Sequence, residues 1–100
     1  MANLYEVPEQ LRIFYEGTAD THFFTSPELP GLLIGDPNLR LAFEQISGVI
    51  TVLVAAKCGT TVECRLSKSF EEFQAEADKL RAMPSDGPHP AFAAALALPQ

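Results

Sequence analysis

Apolar and polar positions alternate from the eleventh residue onward. Leu11, Ile13 and Tyr15 fall on one face, and Arg12, Phe14 and Glu16 fall on the other. That period of two predicts a half-buried strand over 11–16. Gly17-Thr18-Ala19-Asp20 has the length and chemistry of a hairpin loop. Thr21 to Ser26 is rich in β-formers and predicts the return strand. Ser26-Pro27-Glu28-Leu29-Pro30-Gly31 predicts a turn, because its prolines remove donors and its glycine supplies turn geometry. Leu32 to Ile34 then gives a short third strand.

The period changes after Gly35. Asp36 is a predicted helix cap with Pro37 at the first helical position. Leu39, Ala42, Phe43, Ile46, Ile50, Leu53 and Val54 recur at three- and four-residue spacing, an apolar stripe that predicts a helix stopped by Gly59. Ser47-Gly48 and the β-branched run Val49 to Val54 support a rival reading, a second hairpin with strands near 49–55 and 60–66. The preferred reading is one helix bent at Ser47-Gly48, since Ser/Gly pairs kink helices. Thr61 to Leu66 alternates again, with Val62, Cys64 and Leu66 on one face.

Ser69-Phe70-Glu71-Glu72 is a capping-box pattern. Phe70, Phe73, Ala77 and Leu80 follow at helical spacing, so a second helix should end before Pro84. Residues 84–90 then read as a Pro-rich linker. Residues 91–100 read as an apolar tail without a polar face, which must be buried or stay disordered. The fold class predicted is α+β: a small antiparallel sheet in β-β-β-α-β-α order, with the long helix on one face and the second helix alongside or at an edge. Residues 1–10 read as an N-terminal arm, with Leu4, Tyr5 and Val7 before Pro8, and residues 11–83 read as the single domain.

The hydrophobic fraction is 47% and the charged fraction 20% over 100 residues, which suits one globular domain with a real core. Thirteen acidic against seven basic residues give a formal net charge of −6. That balance argues against direct nucleic-acid binding, which needs clustered Lys and Arg, and it suits a basic protein partner. Residues 1–15 contain Glu6, Glu9 and Arg12 and lack the apolar region of a signal peptide. The longest apolar run, Val49 to Ala56, is too short for a membrane span. The expected compartment is the cytoplasm.

The candidate chemistry is sparse. Cys58 and Cys64 lack the spacing of a zinc site and read as buried thiols. His22 sits in a strand without an evident orienting partner, and Glu16 and Asp20 flank a hairpin where solvated acids normally lie. No nucleophile elbow, phosphate-binding loop or dinucleotide fingerprint is present. The expectation is therefore no catalytic, cofactor or metal site, and a protein that is not an enzyme.

Phe23-Phe24-Thr25-Ser26-Pro27-Glu28-Leu29-Pro30-Gly31-Leu32 resembles the strand-turn signature of HicB-like proteins. There, an aromatic or aliphatic strand runs into a serine, an acid and then aliphatic-Pro-Gly. Gly35-Asp36 followed by Leu39 and Ala42 is similar to the family's helix-opening element, although Pro37-Asn38 adds a residue. Ile46 to Ile50 resembles the bent helix of a related small family of unknown function, the DUF1902 group. The resemblance covers about residues 11–66. It implies a degraded RNase H-like half-domain without the catalytic carboxylates, used by antitoxins to mask a small basic RNA-cleaving toxin. The C-terminal DNA-binding domain usual in that family has no counterpart here.

These readings predict a non-catalytic HicB-like protein-binding domain, antitoxin-like or antitoxin-derived. The alternative is an acidic chaperone or immunity-type protein that binds a secreted effector. The candidate partner-binding residues are Ser26, Glu28, Leu29, Pro30 and Gly31 of the turn, Glu71, Glu72 and Glu76 of the second helix, and Phe92 and Leu96 of the tail. A homodimer is also expected, because the edges of a small sheet need cover.

Overall fold

A computed structural model describes residues 7–82 and 87–98. The first part of the N-terminal arm, residues 83–86 of the linker and the last two residues lie outside the described residues. The fold is α+β. Its elements are β1 (Gln10–Gly17), β2 (His22–Thr25), β3 (Leu33–Asp36), α1 (Leu39–Cys58), β4 (Glu63–Leu66), α2 (Phe70–Ala82) and β5 (His89–Ala97). The strands form one five-stranded antiparallel sheet in the order β3-β2-β1-β5-β4.

The alternation over 11–16 is realised as predicted, since Leu11, Ile13 and Tyr15 are all fully buried. The 17–20 loop closes on itself, with Thr18 Oγ1 accepting the amide of Thr21 at 3.1 Å. Gly35 of β3 lies close beside Phe23 of β2: a Cβ there would come within 2.9 Å of the ring, which would have to shift.

α1 is one unbroken helix, so the 49–55 hairpin does not form. Its apolar stripe overrides the β-branched run: Ala42, Phe43, Ile46, Ile50, Val54 and Cys58 are buried. Leu39 and Leu53, assigned to the stripe from spacing, lie half-buried at its margins. The cap is displaced from the expected residue. Asn38 is the N-cap, its side chain accepting the Leu41 amide at 3.0 Å, and Pro37 precedes the helix. Asp36 supports that turn by accepting the Asn38 amide at 2.8 Å. Gly59 ends the helix in the left-handed conformation at φ 72°, as its position predicts. By length and a mean hydropathy of 1.5, α1 is apolar enough to cross a membrane, contrary to the run-length reading. A core helix passes the same test, and α1 lays its buried stripe on the sheet.

α2 starts with the predicted reciprocal cap. The Ser69 amide donates to Glu72 Oε1 at 2.8 Å, and the Glu72 amide donates to Ser69 Oγ at 3.1 Å. This helix packs on β1 and β5, in the middle of the sheet rather than at an edge. Phe73 is fully buried there. Its ring lies 5.3 Å from Tyr15, 5.4 Å from Phe24, 5.7 Å from Phe43 and 5.3 Å from Phe92, joining both helices to three strands.

The largest correction concerns the C-terminal segment. His89 and Pro90 are strand residues rather than linker, and the alanine-rich stretch is a central strand rather than a tail. β5 lies between β1 and β4, with Phe92, Ala94 and Leu96 buried. Alanine has little intrinsic preference for strands, so the segment owes its state to ladder partners on both sides. The register shifts between Ile13 and Phe14, which pair with Phe92 and Pro90 and leave Ala91 as the extra residue. The bulge adjoins Pro90, which has no amide to donate.

Two stability outcomes follow. Phe73→Ala should cost about 3–5 kcal/mol in denaturant unfolding, whereas Leu41→Ala on the exposed side of α1 should stay within about 0.5 kcal/mol. Truncation after Met83 removes a central strand and should abolish the cooperative thermal transition.

Candidate functional site

Both helices cover the same face of the sheet, where the strands bury residues such as Leu11, Ile13, Phe24, Ile34 and Ala94 and half-bury Cys64 and Leu66 of β4. The opposite face carries Arg12, Phe14 and Glu16 from β1, Phe23 and Thr25 from β2, Leu33 from β3, Glu63 and Arg65 from β4, and Ala93, Ala95 and Ala97 from β5. No described element covers this face. Leu33 is 66% exposed, and Ala95 and Ala97 are exposed.

One end of the face is shaped. Phe14, Thr25, Ser26, Pro27 and Pro88 line an apolar hollow of about 290 Å³. The hollow exists because β2 stops at Thr25 while β1 continues past it toward Gln10. That termination leaves the Arg12 amide without a strand partner, and the carboxylate of Glu28 takes the vacant position. Glu28 Oε1 accepts the Arg12 amide at 2.8 Å, and Oε2 accepts Arg12 Nε at 2.5 Å. The Arg12 guanidinium lies 5.7 Å from the Phe14 ring centre, a cation–π distance. Partial desolvation would raise the pKa of Glu28. The Arg12 amide and guanidinium and the residue's own backbone amide outweigh it and hold the carboxyl below its usual range.

The turn residues predicted as contacts therefore divide by role. Ser26 is buried and donates its hydroxyl to Glu28 Oε1 at 3.2 Å, and Leu29 is buried in the core. Pro30 and Gly31 are exposed, Gly31 at φ +100°. The acids of α2 sit elsewhere and are already engaged. Glu71 pairs with Arg40 at 3.5 Å, Glu72 completes the helix cap, and Glu76 pairs with Lys68. Phe92 and Leu96 are each only 9% exposed and belong to the core of their own domain. The predicted contact residues thus do not converge on one place. Sequence reasoning missed Arg12, Phe14 and Pro88 around the hollow. Phe14 carried a signal, since it is an aromatic residue on the polar side of an alternating strand.

His22 is buried and within hydrogen-bonding distance of the Tyr15 hydroxyl, 2.7 Å from Nδ1. His89 stands opposite Tyr15 in the register, and its Nε2 is buried without a hydrogen-bond partner among the described residues. Cys58 is buried and Cys64 half-buried, and both are free thiols. Burial pushes the Cys64 thiol up, against a hydrogen bond to Ser47. Among the described residues no three His, Cys, Asp or Glu side chains are grouped to hold a metal. The outer side of α1 forms a second apolar surface, where Gln45, Gly48, Val49, Val52 and Leu53 line a shallow depression and Val52 is 67% exposed.

A scan against protein-family models, a search of curated proteins and a search of solved structures each return no match for the chain.

The depressed pKa of Glu28 fixes the sign of a pH effect. Its contribution to stability is present above the unfolded carboxyl value and is lost as pH falls through the lower folded value. Acidification from the ordinary glutamate range downward should therefore lower the melting midpoint more in the native protein than in Glu28→Gln. Parallel melting curves for the two across that range would remove this assignment.

Proposed function

We propose that this chain is a non-catalytic protein-binding domain of the HicB-like, antitoxin type. Its docking surface is the open face of the sheet around the Phe14 hollow. The uncovered face is the observation that carries this reading: apolar side chains there are rimmed by the Arg12–Glu28 pair and by Glu16. Contiguous exposed apolar surface with a polar rim is the pattern of an interaction site.

The occupant proposed is a small basic protein. The formal charge of −6 favours such a partner at long range. The hollow, open beside the Ser26–Pro27 turn, accepts one apolar anchor from it. The turn that carries the HicB resemblance thus borders the docking surface. Glu28 positions Arg12 and is not itself presented to the partner.

Phe14→Glu places a charge in the hollow without touching the buried core, and Val52→Glu does the same on the outer side of α1. Affinity capture from the protein's own cells should retain a small basic protein with the native chain and with Val52→Glu, and lose it with Phe14→Glu. Retention by Phe14→Glu overturns the assignment of the face. Loss with Val52→Glu alone moves the binding surface to α1, as a chaperone-like reading would require.

A further inference from the structure

The sheet has two edges, and they differ in chemistry. At one edge, β3 carries a single charge, Asp36, which is held at the start of α1 through the Asn38 amide. At the other, β4 has the sequence Glu63-Cys64-Arg65-Leu66. The direction of its backbone groups follows from its pairing with β5. The Ser67 amide donates to the Ala93 carbonyl at 2.8 Å, and Leu66 pairs with Ala94. Backbone groups alternate in direction along a strand. Arg65 and Glu63 therefore turn their amides and carbonyls toward β5, as Ser67 does. Leu66, Cys64 and Val62 turn theirs outward to the open edge. β5 shows the complementary alternation, since the Leu96 amide donates in the other direction, to Glu9.

From this pattern we infer that β4 pairs antiparallel with β4 of a second copy of this chain, about a two-fold axis through Cys64. Such an axis sets Cys64 opposite Cys64 of the partner subunit as a hydrogen-bonded pair, the geometry that the outward direction of its backbone groups requires. It also sets Glu63 opposite Arg65 of the partner subunit, and Arg65 opposite Glu63 of the partner subunit. The charges at positions 63 and 65 are opposite in sign, on the same face of the strand and both exposed. The two-fold turns that spacing into two cross-strand ion pairs on the open face. On the helix side, Val62 meets Leu66 of the partner subunit in each direction. Both are apolar, Leu66 within β4 and Val62 just before it.

The surroundings admit a partner strand. A cleft of about 470 Å³ lies between β4 and α1, lined by Ser47, Gly48 and Thr51 on the helix, by Val62 and by residues 63–65 of the strand. Gly48 leaves open space there, with nothing within 4 Å of the position of an added Cβ. An isologous interface uses the same patch twice and closes after two copies. Pairing of β4 with the opposite edge, β3, would instead propagate. β3 offers no charge of the sign needed to meet Arg65 and Glu63 together.

The pattern has a direct test in the full-length protein. Glu63→Arg presents two positive charges along β4, and Arg65→Glu presents two negative ones. Each variant faces like charge across its own two-fold, but the two variants are complementary to each other. In sedimentation equilibrium the native chain should be dimeric. Each single variant should dimerise about tenfold or more weakly, because both cross-strand pairs turn repulsive. An equimolar mixture of the two variants should restore the dimer as a heterodimer. Both variants lie on exposed positions, and the mixture controls for folding. A monomeric native protein, an open polymer, single variants that remain dimeric or a mixture that remains monomeric would each overturn the inference.

Discussion

The structure depends on the ladder that β5 makes with β1 and β4. The last described strand is the one that joins β1 to β4, so β4 has no place in the sheet until β5 forms. Removing β5 would leave a β3-β2-β1 meander and a β4 with no strand to pair with. The same strand supplies Phe92 to the aromatic cluster and Ala94 to the floor beneath α2. The small side chain of Ala94 leaves room for α2 over the middle of the sheet. Of the alanines in this strand, Ala94 is the one buried on the helix side, whereas Ala93, Ala95 and Ala97 lie on the open face.

That packing decides where the free surface lies. The Phe73 ring touches four aromatic neighbours on α1, β1, β2 and β5, and it requires both helices on the same side of the sheet. Aromatic pairs at these separations contribute about 0.5–1.5 kcal/mol each beyond burial. The cluster therefore favours one placement of α2 over any that would move it to the opposite face. The open face is the consequence of this choice. It is also where the chain departs from a simple polar exterior, with Phe14, Phe23 and Leu33 among its residues.

Much of this was legible in the sequence. The strand at 11–16, the hairpin loop, the helix ending at Gly59 and the Ser69–Glu72 cap follow from periodicity and end chemistry, both of which act locally. The errors arose where tertiary context decides. β5 looked like a tail because Ala and Pro disfavour strands, and nothing local reveals that partners wait on both sides. Asp36 looked like the helix cap because its chemistry suits one, yet β3 extends through it and transfers the role to Asn38. The site was the least legible part. Glu28 reads as a surface acid in a turn, but its position against the unpaired Arg12 amide depends on where β2 stops relative to β1.

The acids show why net charge is a poor guide to the contact surface. Glu28 closes a gap in the ladder, Glu72 caps α2, and Glu71 and Glu76 pair with Arg40 and Lys68, so each is partly neutralised within the chain. Glu63 and Arg65 differ, since they stand beside each other on an outer strand with no described side-chain partner. Their neighbours across the strand are alanines, Ala97 and Ala95, which can offer no compensating charge. A free acid and a free base two residues apart on an open edge are most simply satisfied by the same strand in reverse. That arrangement also extends the open face across the two-fold into a ten-stranded sheet, five strands from each copy. The hollow at Phe14 lies beyond β5 and β1 from that edge, so self-association through β4 leaves the proposed docking surface clear on both copies.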